Sequence, residues 1–134
     1  MANLDLLAAR HAQAIIRSAI DDHNCAKDGV ENLVTRALGV VQEQGVYAGM
    51  LYLLSRRASE KEIAQIVKGE LVGLLGEPDL QAFNLGYAGD NDNAQALLDY
   101  FVETVCSKPV QTLLLVKDLF EQTLTYARYG AKAR

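Results

Sequence analysis

Apolar residues recur along most of this chain at three- and four-residue intervals, the spacing that places them on one face of an α-helix. No segment alternates apolar with polar residues as a half-buried strand does, so an all-helical fold is expected. The densest apolar stretch is residues 39–57, GVVQEQGVYAGMLYLLSRR. Its second half, Val46–Leu54, carries no charged or strongly polar side chain. As a helix it is apolar all round, and it is expected at the centre of a bundle with neighbours on every side. The remaining segments read as its wrapping.

The wrapping begins at residues 4–20, where Leu4, Leu7, Ala8, Ala12, Ile15, Ile16, Ala19 and Ile20 form one stripe and Arg10, Gln13 and Arg17 recur on another face. His11 falls at the apolar edge of this helix and is expected to be a packed or hydrogen-bonded histidine. Residues 21–27, DDHNCAK, have no hydrophobic period and read as a loop. Asp28 with Glu31 three positions on is a capping arrangement that starts a second helix, with Val30, Leu33, Val34, Ala37, Leu38 and Val41 as its stripe. Gly45 is expected to separate it from the apolar helix.

The apolar helix closes on Ser55-Arg56-Arg57, whose cations suit either the negative end of the helix dipole or a phosphate. Ser59 and Glu62 make a second capping box for a fourth helix, with Ile63, Ile66, Val67, Leu71, Leu74 and Leu75 inward and Lys61 and Lys68 toward solvent. Gly76 and Pro78 stop it, and residues 79–93 read as a short helical turn and a loop ending in a cap among residues 91–93. Residues 94–106 form a further helix. Pro109 opens the last one, which packs Leu113, Val116, Phe120, Leu124 and Ala127 and is expected to end near Tyr129 at Gly130. The result is a single domain, residues 1–134, built as a compact bundle of five or six helices.

Composition narrows the function. With 134 residues, half of them hydrophobic, the chain can bury a core without disulfides or metals. Cys25 and Cys106 match no zinc spacing and are too few for a disulfide framework, and no leader or membrane-spanning run is evident, so a cytoplasmic protein is expected. The cluster Asp21, Asp22, His23 and Cys25 lacks the second ligand group that zinc needs. Asp90 and Asp92 lack the glycine and closing glutamate of a calcium loop. Gly86 and Gly89 follow no strand and precede no GK[ST], so they make no phosphate loop. No Ser, His and acid set or carboxylate pair marks a catalytic site, and neither metal nor cofactor is expected. A net charge of −4 argues against a free-standing binder of naked nucleic acid, although it leaves room for a local basic stripe.

Two separated pieces carry a resemblance. VVQEQGVYAGMLYLLSR, residues 40–56, looks like the helix, glycine and buried helix of the small subunit of type III-B CRISPR effector complexes, the Cmr complexes. KDLFEQTLTYARYGAKA, residues 117–133, is similar to that family's terminal helix, with Tyr126, Arg128 and Tyr129 as counterparts of its aromatic and basic ending. The Ala-rich, Arg-bearing start LAARHAQAIIRSAI resembles the family's first helix. The three pieces cover a little over a third of the chain, in the family's order. The tryptophan usual in the terminal helix is absent, Thr125 or Tyr126 standing in its place, and residues 90–109 are longer than in the family. These departures leave the subtype open among the type III complexes.

The resemblance implies a non-catalytic subunit whose copies stack along the guide and target RNA inside a multisubunit effector. Other effector subunits and neighbouring copies of the chain would then be its partners, with no membrane involved. RNA contact is expected from Arg10, Arg17, Arg56, Arg57 and Lys61, with Arg128 and Lys132 as a second set; such contacts grip phosphate and read no sequence. The alternative is a helical adaptor or regulator unrelated to RNA, which would use an exposed apolar or acidic face instead of the arginines.

Overall fold

The computed structural model describes residues 3–134, which form an all-helical bundle with no strand among them. Helix α1 (Leu4–Ile16) starts where the Asn3 side chain accepts a hydrogen bond from the Leu6 amide at 3.0 Å. The chain then runs on without a break through a wide π turn, Arg17–Asp22, so helical structure reaches two residues into the expected loop. Helix α2 (Lys27–Gln44) follows, and Gly45, at φ 97°, turns the chain into α3 (Val46–Leu54). That left-handed backbone is the conformation for which the glycine was singled out. Helix α4 (Lys61–Leu75) and the 3-10 turn Pro78–Phe83 lead into a loop. Helix α5 (Ala94–Tyr100), prolonged as a π turn through Val105, and the long α6 (Val110–Lys132) complete the order.

The most extensive helix contact joins α2 to α6, followed by α1 to α6. The axis of the bundle is therefore the long last helix and not the apolar α3. Helix α3 packs Val46, Gly49, Met50 and Leu53 inward, mainly against α2 and α4, but leaves Leu51 41 % exposed. Nine residues make only two and a half turns, and the Leu51 side of the second turn stays open to solvent. Helices α1 and α6 run parallel: Asp5 meets Gln122 and Tyr126, Ile16 meets Gly130, and Asp21 meets Arg134. The core stripes read from the sequence are those that pack, including all six positions of α2 and the deep Phe120 ring, whose centroid is 6.5 Å from that of Phe101, a buried ring outside those stripes.

Four local expectations give way to tertiary structure. Asp28 lies inside the first turn of α2, because the helix starts earlier behind the extended Ala26; its carboxylate faces the positive end of the dipole instead of capping an amide. Ser59 sits within the short 3-10 turn Ala58–Glu60, entered through Ala58 at φ 56°, and makes no cap to α4. Lys68 is not on the solvent side. It is 4 % exposed and donates from Nζ to the Asn91 carbonyl at 2.7 Å, because residues 84–93 fold back across α4. Gly130 does not end α6 but continues it; a Cβ there would stand 3.1 Å from Ile16 Cγ1, so the glycine lets α1 and α6 approach closely.

The loop that covers Lys68 is tied down from below. Leu80 and Leu85 are buried as plugs, and the Tyr100 hydroxyl donates to the Leu85 carbonyl. Asn93 then caps α5 by accepting from the Ala96 amide at 3.0 Å, as the run of Asn and Asp suggests. Among the described residues no helix is long and apolar enough to cross a membrane.

Candidate nucleic-acid interface

The parallel pairing of α1 and α6 decides where the expected basic residues fall. On α1 the exposed positions Leu6, Arg10, Gln13 and Arg17 recur every three or four residues, so Arg10 and Arg17 share one outward face. On α6, Arg128 is half-buried and Lys132 is exposed one turn further on, with Tyr129 between them. The two helices enclose an open groove of about 350 Å³ lined by Ala12, Gln13, Arg17, Tyr126, Gly130 and Arg134. The two basic sets that are 118 positions apart from Arg10 to Arg128 in sequence thus belong to neighbouring helices.

Arg56, Arg57 and Lys61 form a separate group at the α3–α4 corner. The Arg56 guanidinium stacks 4.1 Å from the Tyr52 ring centroid and donates to the Tyr52 carbonyl at 3.1 Å and to Ser55 Oγ at 3.0 Å. Arg56 is therefore held as a helix-end clamp, the dipole role named beside the phosphate role. Arg57 and Lys61 are exposed. Of all the basic residues expected to meet RNA, only Arg17 lines the α1–α6 groove.

Charge pairing separates these residues from the other arginines. Arg36 is joined to Glu60, and Arg134 forms a fork on Asp21 at 2.6 and 3.0 Å. The Arg134 hydrogen bonds, with the nearby charges of Arg134 and Arg17, hold the Asp21 carboxyl below its ordinary value. No carboxylate lies within ion-pair distance of Arg10, Arg17, Arg56, Arg57, Lys61, Arg128 or Lys132 among the described residues. The Arg128 Nε is buried without a hydrogen-bond partner, which leaves the terminal nitrogens as its outlet for acceptors.

The strongest electrostatic constellation is one that sequence reasoning only half saw. His11 is hydrogen-bonded as expected, but its partners come from 59 and 66 positions away: Nδ1 meets Glu70 Oε1 and Nε2 meets Glu77 Oε2, each at 2.8 Å. A protonated imidazole donates from both ring nitrogens, so the two bonds to carboxylate oxygens favour the imidazolium form. The Glu70 hydrogen bond raises the His11 pKa above 6.5, burial works against it, and the Glu77 bond adds to the rise. The carboxylates sit on opposite edges of the ring and share no point at which a metal would meet all three. This cluster is a clamp between α1 and the end of α4, and its sequence signal is the heptad spacing of Glu70 and Glu77.

The thiols are tuned away from nucleophilic chemistry. Burial, with Glu62 adding its charge, pushes Cys25 up, and burial pushes Cys106 up, whereas a reactive cysteine needs the opposite direction. Cys106 instead borders an apolar groove with Tyr47, Leu113 and Leu114. Beside it Val102, Leu114 and the 71 % exposed Val110 stand out from the surface, an apolar patch that the inward-facing stripes do not predict. Comparison with protein-family models, curated proteins and solved structures finds no match to this chain.

Proposed function

We propose that this chain is a non-catalytic RNA-contacting subunit, of the kind its resemblance to the small subunit of type III CRISPR effector complexes implies, gripping the backbone of guide or target RNA from the α1–α6 face. The observation that supports this reading is the set of cations with no carboxylate within ion-pair distance among the described residues, Arg10, Arg17, Arg128 and Lys132, on two adjacent parallel helices. A phosphate backbone needs accessible cations in a row and no base-specific pocket. A net charge of −4 keeps the isolated chain a weak binder, and stacked copies would gain by avidity.

The experiment replaces Arg10, Arg17, Arg128 and Lys132 with Ala and titrates RNA of several sequences at several salt concentrations, in the isolated chain and in a reconstituted effector. Affinity is expected to fall about equally for every sequence, and the salt slope to flatten by about 0.7–0.9 for each phosphate no longer neutralised. Unchanged affinity and slope with the subunit still incorporated would show that this face does not meet RNA. Loss of incorporation would place these residues against other subunits. The second reading, a protein-interaction adaptor, draws on the exposed Val102, Val110 and Leu114 patch and expects Val110→Asp, not the arginine changes, to abolish function.

A further inference from the structure

Tyr129 is 59 % exposed, against 36 % for Tyr126 and 37 % for Phe83, the other aromatics that stand out from the surface. It is carried by the last turn of the 23-residue α6, so the ring is presented from helical backbone. The Arg128 guanidinium carbon lies 5.8 Å from its ring centroid and the Lys132 ammonium 5.9 Å, both at the outer limit of cation–π attraction. Both cations thus stand over the ring at long range, and the ring keeps its 59 % exposure beside them. Tyr126, one turn back, is tied to α1, its hydroxyl donating to Asp5.

From this arrangement we infer that Tyr129 is a stacking platform for an unpaired RNA base, with Arg128 and Lys132 taking the phosphates on either side of it. The inference rests on the RNA-contacting reading above and goes beyond it, since backbone contact alone has no use for an exposed ring. A π-face accepts every base, so the site is sequence-tolerant; it favours purines because they offer more area to stack, and it needs a single strand because a paired base keeps its faces covered by its neighbours. The ligand is accordingly a single-stranded stretch of RNA, such as one splayed out of a duplex.

The test uses the full chain and two fluorescent probes at low salt, where backbone contacts are strongest: a short oligoadenylate and an RNA duplex of mixed sequence. Tyr129→Leu is expected to weaken oligoadenylate binding about tenfold, the loss of one stacked base, while duplex binding and the salt slope stay put. Tyr129→Phe is expected to bind both probes like the parent. Arg128→Ala with Lys132→Ala should weaken both probes and flatten the slope. If Tyr129→Leu binds oligoadenylate as tightly as the parent, or loses both probes equally with an unchanged melting midpoint, the stacking inference is overturned and the backbone reading stands. If the parent binds neither probe, both fail together.

Discussion

Substituting Gly49 tests how tightly α3 is pressed onto α2. An ideal Cβ built at Gly49 would lie 2.5 Å from Val41 Cγ2, where two carbons at rest sit about 3.5–4.0 Å apart, so Gly49→Ala must open this contact by about 1 Å. Val41 is buried, and as a β-branched residue in a helix it has one strongly preferred rotamer, so its methyl cannot simply swing away. Overpacking of this kind costs about 1–3 kcal/mol. Replacing a helix-interior glycine by alanine returns about 1 kcal/mol, leaving a net destabilisation of about 0–2 kcal/mol. For a chain of this size that is a fall of up to about 8 °C in melting midpoint. The double-mutant cycle with Val41→Ala is the decisive assay: with the methyl removed, Gly49→Ala should become neutral or stabilising by up to about 1 kcal/mol, a coupling of about 1–3 kcal/mol. A Gly49→Ala chain that melts above the parental midpoint, or that changes equally in both backgrounds, refutes the close approach of these helices.

Three further outcomes are expected. Because the folded pKa of His11 is raised, its clamp contributes fully below the unfolded value of 6.5 and is lost as pH rises through the folded value; the urea midpoint of the parent should converge on that of His11→Gln over this window, and a constant gap would contradict the imidazolium. Lys68→Met keeps the buried stem but deletes the bond to the Asn91 carbonyl, so it should cost about 1–3 kcal/mol and speed amide exchange in residues 86–93 before that of α6; unaltered protection of this loop would show that the lysine does not hold it. Gly130→Leu should force α1 from α6 at Ile16 and weaken RNA binding even though no cation is changed, an effect absent if the two helices act independently.

The sequence was most legible where one helix face repeats often enough to be averaged. All six stripe positions of α2 are buried, as are Val116, Phe120, Leu124 and Ala127 of α6. It was least legible where a distant segment decides a residue's surroundings. Nothing near Lys68 foretells that residues 84–93 will lie across it, and the half-open side of α3 depends on how far α4 and α5 reach. Caps failed for a related reason: Asp28 and Ser59 have the right chemistry, but the preceding backbone at Ala26 and Ala58 sets where the first turn begins. At the candidate interface, the residue types were readable and their grouping was not. Arg10 and Arg128 come to stand on adjacent helices only through the parallel packing of α1 and α6, and that packing hangs on Gly130, which local rules read as a helix stop.

The π turns that prolong α1 and α5 give this bundle slack in chain length. At both places an amide reaches back five residues, His23 to the Ser18 carbonyl at 3.0 Å and Cys106 to the Phe101 carbonyl at 2.7 Å, so each turn holds one residue more than an α turn would. Deleting Ser18 should let that turn tighten to ordinary i→i+4 bonds while Ile16 and Ala19, buried on either side, still reach the core. Most single-residue deletions inside a helix swing everything downstream by about 100° and destroy the stripe. Here the helix itself can absorb the loss, and a deletion scan should find a narrow window of tolerance at Arg17–Asp22 and Phe101–Val105, flanked by positions where the same change unfolds the chain.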